Sequence, residues 1–284
     1  MKRDLGPART GRRRIGRVIT YGFLLLCVVL ALLPLVWVMG SSFKTNAEIF
    51  ADSLCPPHGW TLSGYAAVFR QSPMVHYFCN SLVVASVSTV CNVLALSMAA
   101  YVFARYRFRG KTVLYVLLCV TLVIPMTALL HPVYSIISGL GLYDTKRGLI
   151  LVYTALNLPM SLLILRSAFA AIPQSLEEAA CIDGAGFVRT FFQIMLPCAR
   201  GGVVSAAALS FVNSWNEFTF ALLLTSGQEA RTLPLSMQYF TAQFSFNYTA
   251  MFAAVTVTVL PAVVLFAAFQ QRLVSVLFDG AEKA

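Results

Sequence analysis

Two groups of residues carry chemistry that their surroundings do not explain. In the first, Asn213, Trp215, Asn216 and Glu217 stand in an otherwise apolar run. At bilayer depth an ionisable group costs about 2.5–3.5 kcal/mol on insertion scales, so it faces a bundle interior or water. Two amides, a carboxylate and an indole suit a sugar: the indole stacks on the apolar ring face and the others bond hydroxyls. The same set also suits a structural polar contact between helices, and both readings stand at this point. In the second group, Ser175 is followed three residues later by Glu178, the spacing of a capping box, with Pro173 just before it. Gly184 and Gly186 follow, and Pro197 closes the segment.

Other chemistries lack their residues. A phosphate-binding loop needs G-x-x-x-x-G-K-[ST]; Gly110-Lys111-Thr112 supplies its end, but Arg105 stands where the first glycine belongs. His58, His76 and His131 have no ligand spacing to Cys, Asp or Glu, so no metal site is expected. No nucleophile–base set appears, and the chain is expected not to be an enzyme.

The elements that position these residues follow from composition. The chain has 284 residues, 58% hydrophobic and 11% charged, with a mean hydropathy of +0.77. Soluble domains carry roughly 25% charged residues, so the solvent for this surface is membrane lipid. A spanning helix needs about 20 apolar residues. The charge-free runs predict an all-α membrane protein of six transmembrane helices, at about 18–39, 79–104, 112–136, 148–169, 202–226 and 249–271. Asn157 and Pro159 interrupt the fourth span and Pro125 the third, where kinks are tolerated or free carbonyls toward a cavity.

The net charge of +10 raises nucleic acid as a partner, but the cations cluster at the ends of apolar runs, which suits an orientation signal instead. With six spans both termini share one side. Sixteen of the 21 Lys and Arg fall there; Lys44, Arg70, Lys146, Arg147 and Arg231 fall on the other. The bias places both termini in the cytoplasm. The expected layout is a basic tail at 1–17, the spans over 18–273, a long inner loop at 170–201 and a C-terminal tail at 274–284. The first span reads as a retained anchor: it is longer than a signal-peptide core and has no A-x-A site. Seven scattered cysteines argue against a disulfide framework; a Cys55–Cys79 bond stays open.

Within the inner loop a short helix is expected from about Leu176 to Asp183, ended by the glycines. A second is expected from Phe187 to Leu196, with Phe187, Phe191 and Ile194 on one apolar face. Such a knob invites a protein partner.

The loop also carries a pattern: Glu178-Ala179-Ala180, three residues, Gly184, nine residues, Ile194, then Leu196-Pro197. This resembles, without a gap, the signature of permease subunits of ATP-binding cassette importers. The resemblance implies a type I importer permease bundle whose loop docks on an ATPase, with Ala179 and Ala180 allowing close packing and Glu178 meeting a basic residue. Asp183-Gly184-Ala185 is similar to the sugar-permease version of the loop. Ser42 to Phe50, Tyr101 to Tyr106, Ser214 to Phe218 and Arg231 to Pro234 look like the smaller permease of maltose-type transporters. Gly201-Gly202 and the tail Asp279 to Lys283 depart from that pattern.

The resemblance implies a bacterial inner-membrane protein, with a second permease, two ATPase subunits that hold ATP and Mg²⁺, and an extracytoplasmic solute-binding protein. It implies sugar import by alternating access. The alternatives are an importer permease for an amino acid, peptide or phosphate, an ion-coupled carrier using Glu217, and a membrane sensor or scaffold without transport.

Overall fold

The computed structural model describes residues 7–239 and 247–281. The expected tails therefore lie partly outside the described residues. Every regular element among those described is helical. In chain order these are α1 (Pro7–Ser41), α2 (Asn46–Ala51), α3 (Ser63–Gln71), α4 (Met74–Arg105), α5 (Lys111–Val120), α6 (Leu130–Gly139), α7 (Lys146–Leu156) and α8 (Leu158–Ala170). There follow α9 (Ser175–Ile182), α10 (Phe187–Thr190), α11 (Leu196–Cys198), α12 (Arg200–Asn216), α13 (Thr219–Leu224) and α14 (Tyr248–Ala281).

Arg17–Ser41 and Met74–Arg105 are each long and apolar enough to cross a membrane. The α7–α8 pair, bent by 49°, and the segment Phe187–Cys198 with α12, bent by 77°, each pass the same test as a broken span. Lys111–Val120 and Tyr248–Val264 are shorter apolar helices. Three of the expected spans are not continuous, the fourth being the bent α7–α8 pair. The third stops at Val120 and resumes through a 3₁₀ turn at Met126–Leu129; Pro125 lacks an N–H and pushes the residue before it out of the helical region. The fifth breaks at Glu217, whose backbone is extended, before α13 begins.

The chain divides into two compact units, Met1–Gln71 with Tyr239–Val257, and Ser72–Gln238 with Thr258–Ala284. In the first unit no residue of the apolar window of α1 is buried. After α1, Lys44 is 3% exposed and donates to the carbonyls of Asp52 (2.9 Å) and Ser53 (3.0 Å). A cation there meets the unpaired carbonyls at the end of α2. Thr45 and Glu48 close a capping box on the other end of α2. Gly64 lies against the Thr249 backbone, where an added Cβ would sit 2.8 Å from the carbonyl oxygen.

In the second unit α4 packs against α7, α8 and α12. One core joins Leu96, Tyr101, Leu162, Leu165, Phe169, Phe191 and Met195. Another joins Val84, Ile137, Leu149, Tyr153, Phe220 and Leu235. Small residues let these helices approach closely, as membrane helices require: a Cβ added to Gly202 on α12 would overlap that of Ala168 on α8. Polar side chains stitch the same faces. Asn92 Nδ2 donates to the Thr154 carbonyl (3.0 Å) and Ser88 Oγ to Ser214 Oγ (3.3 Å). All seven cysteines are free.

Candidate functional site

Three helix breaks meet at one place. Asn157 stands between α7 and α8, with Pro159 in the first turn of α8, where its missing N–H costs nothing. The freed amide of Asn157 donates to the Tyr153 carbonyl (2.9 Å) and to Ser214 Oγ (3.2 Å), and its oxygen accepts from Asn213 Nδ2 (3.1 Å). Glu217 ends α12 and turns back over the start of α13. Its Oε1 accepts from the Phe220 N–H (2.7 Å); its Oε2 accepts from the Ala221 N–H (3.0 Å) and the Tyr153 hydroxyl (2.8 Å). The carboxylate thus satisfies two backbone donors that the helix break leaves unpaired. An acidic group in an apolar run is accounted for by three donors.

These residues line a pocket of about 440 Å³ with Met126, Leu156, Asn216, Phe218 and Thr219. Asn213, Asn216 and Glu217 are brought together as the sequence suggests. Trp215 is not: it is 2% exposed, lies outside the pocket, stacks on Phe211 at 5.8 Å and meets the edge of Phe78. One residue in a helix turns the side chain by about 100°, which carries Trp215 into the core while its neighbours face the opening. Of the two aromatic residues in the lining, Tyr153 is 1% exposed, while Phe218, which follows the helix break, is 39% exposed. Only the break at Glu217 turns Phe218 into the opening, so periodicity alone could not single it out.

A second feature pins this region. Asp144 adopts φ 57° in the turn between α6 and α7, a conformation that Asp tolerates. Its carboxylate accepts from the N–H groups of Ser226 (2.9 Å) and Gly227 (3.0 Å), and its own N–H donates to the Leu224 carbonyl (2.9 Å) at the end of α13. Burial by itself raises the carboxyl, but the bonds from Gly227 and Ser226 outweigh it and hold the group below its ordinary 3.8. A depressed folded value stabilises the fold above the unfolded value and loses that contribution as pH falls through the folded one. Comparing melting temperatures of wild type and Asp144→Ala across pH checks this. The gap should be constant near neutrality and close below the ordinary carboxylate range.

The knob forms much as expected, with two corrections. The helix α9 runs Ser175–Ile182, but its N-cap is Gln174, and no Ser175–Glu178 capping box forms. Gln174 and Ser175 are already helical, and the Gln174 carbonyl accepts from the N–H groups of Glu177 (3.0 Å) and Glu178 (3.1 Å). At the other end Gly184 has φ 73°. The Ala185 N–H bonds the Ala180 carbonyl (2.9 Å) and the Gly184 N–H that of Cys181 (3.0 Å), a Schellman turn. Gly186 is extended, not left-handed, and starts α10.

The second correction concerns the apolar face. Phe191 and Met195 are buried within the chain's own core, with Phe191 against Tyr101 and Phe169. The exposed apolar residues are Leu176, Ile182, Phe187, Val188 and Phe192. A π turn at Phe191–Met195 leads directly into α11, which holds Leu196-Pro197 with the proline in its first turn. Of the patterned residues, Ala180 is buried, Ile194 and Leu196 are half-buried, and Glu178, Ala179, Asp183, Gly184 and Pro197 are exposed. Glu177 was not singled out by the pattern, yet it pairs with Arg105 (3.3 Å).

Broken helices around a pocket and a helical knob on one bundle define a membrane permease. Residues 92–277 match the family of binding-protein-dependent transport system inner membrane components, and the chain belongs to it. It is 34% identical over 97% of its length to the diacetylchitobiose uptake system permease protein of Streptomyces coelicolor, covering 92% of that protein. It is 36% identical over 91% to the sulfoquinovosyl glycerol transport system permease of Agrobacterium fabrum, covering 91% of it. It is 35% identical over 91% to the trehalose transport system permease of Mycobacterium tuberculosis, covering 94%. Among solved structures, a chain of a bacterial alginate importer superposes with a TM-score of 0.80 at 18% identity, covering 95% of this chain and 99% of that one.

Proposed function

We propose that the chain is the translocating subunit of an ATP-driven importer for an uncharged sugar or oligosaccharide. The observation that carries this reading is the pocket at the helix breaks. Its volume of about 440 Å³ falls in the ~300–1,000 Å³ range of small-molecule sites. Its lining joins three amides, Asn157, Asn213 and Asn216, to an aromatic ring, Phe218, and contains no Lys, Arg or His. Its one charge is the Glu217 carboxylate, so an acidic solute would meet repulsion with no cation to offset it. The relatives named for diacetylchitobiose and trehalose support a sugar. The relative named for sulfoquinovosyl glycerol and the alginate importer concern acidic cargo, and the lining favours a different choice here.

In this reading six spans cross the bacterial inner membrane with both termini in the cytoplasm, and α1 lies against lipid. The knob meets one of two ATPase subunits through Glu178 and the exposed Leu176, Ile182 and Val188; ATP and Mg²⁺ are held by those subunits. A second permease completes the pathway, and an extracytoplasmic binding protein delivers the solute. Purification from the native membrane tests this, comparing wild type with Glu178→Ala plus Gly184→Pro. An ATPase, a second permease and a binding protein should accompany the wild type, the ATPase should be lost from the variant, and the binding protein's ligand should be an uncharged sugar. A wild-type chain that comes out alone and moves solute without ATP overturns the reading, as does an acidic ligand.

A further inference from the structure

The segment Tyr101 to Tyr106 has no part in the pocket. The structure gives it another place. Arg105 is the last residue of α4. Its Nε lies 3.3 Å from Glu177 Oε2 in the first turn of α9, with the two side chains only 13% and 17% exposed. Its Nη2 donates to the carbonyl of Ile172, in the link between α8 and α9. One turn earlier, Tyr101 is 1% exposed and its ring lies 5.4–5.6 Å from those of Phe169, Phe187 and Phe191. The C-terminal turn of α4 is therefore a socket. It holds α9 through an ion pair and α10 through the tilted contact of Tyr101 with Phe187. The adjacent glutamates divide the work: Glu177 turns into the socket and Glu178 faces out.

Helix α4 also reaches the polar network beside the pocket, through Ser88 and Asn92. From Arg105 to Ser88 the helix runs about 26 Å at 1.5 Å per residue. We propose that Arg105 and Glu177 are positioning residues of the transport cycle, the joint through which displacement of the knob is passed to α4 and so to the pocket. This rests on the ATPase-docking reading above. The guanidinium is held at two points, by the ion pair with Glu177 and by its bond to the Ile172 carbonyl, and losing either member of a partly buried pair leaves the other charge poorly solvated. An exposed pair would transmit little.

The test uses the whole complex in proteoliposomes, measuring uptake and ATP hydrolysis together. Arg105→Gln and Glu177→Gln should keep the ATPase bound and hydrolysing, while uptake per ATP falls on the order of tenfold. The exchange Arg105→Glu with Glu177→Arg should recover most of that loss. Arg105→Lys, which keeps the charge and loses the bond to Ile172, should fall between; it also serves where the Gln variants do not accumulate. Normal uptake per ATP in the single variants, or an exchange no better than either, overturns the joint. A Gln variant that loses the ATPase altogether also overturns it, by making the pair part of docking. A wild-type chain that never binds an ATPase refutes the docking reading itself, and the joint with it.

Discussion

Glu217→Leu should destabilise the protein by about 3–5 kcal/mol, the largest loss of any single side chain in the pocket wall. The carboxylate accepts from the Phe220 and Ala221 N–H groups and from the Tyr153 hydroxyl, which belongs to a residue only 1% exposed. Leucine leaves all three donors without an acceptor where water reaches poorly, and each buried orphan costs about 1–3 kcal/mol. Glu217→Gln keeps one acceptor oxygen and should cost about 1–2 kcal/mol. Thermal unfolding of the purified complex ranks the variants. Uptake then separates the two roles that the sequence leaves open. If Glu217 acts through the helix restart, Glu217→Gln retains uptake, while Asn213→Ala and Asn216→Ala, which leave the backbone donors untouched, reduce it. A Glu217→Leu protein that melts with wild type removes the capping role.

Gly202→Val comes next. A Cβ at this position overlaps the Cβ of Ala168, so the α8–α12 crossing must open to admit it. Overpacking typically costs about 1–3 kcal/mol, and more where two backbones must separate. The neighbouring Gly201 has open space where its Cβ would be, so Gly201→Ala should be tolerated and serves as the control. Exchange of the small residue, Gly202→Ala with Ala168→Gly, should recover most of what Gly202→Ala alone loses. Melting temperatures of the four combinations give the interaction directly. Additive losses would place the crossing elsewhere.

Gly202, one of the two glycines that depart from the family pattern, thus has a local cause, one that the sequence shows only as a departure. Other features divide in the same way. The long apolar runs, the positive φ at Gly184 and the interruption at Asn157-Pro159 were legible, because each depends on a property of one residue or one short stretch. The capping boxes show where local reasoning stops. Thr45-Asn46-Ala47-Glu48 forms one, while Ser175-Leu176-Glu177-Glu178 has the same spacing and does not. The chain enters α9 already helical from Gln174, so Ser175 is inside the helix and its hydroxyl has no cap to make. The burial of Trp215, the exposure of Phe218 and the Arg105–Glu177 pair lie further out of reach. Each depends on residues tens of positions away, or on a break that a mostly apolar run does not announce.

The π turn at Phe191–Met195 bears on which changes the knob can absorb. A helix advances about 100° per residue, and a π turn takes up one residue more than an α turn. Between the Schellman turn at Gly184 and the tight crossing at Gly202, the chain must present Val188 and Phe192 outward and Phe191 and Met195 inward, then arrive with Gly202 against Ala168. The π turn sets that facing within the knob, and the 77° bend before α12 then redirects the chain. This stretch is therefore a ruler as much as a surface: one residue type can replace another here, but a residue added or removed before the π turn would rotate Val188 and Phe192 away from the face that they now present.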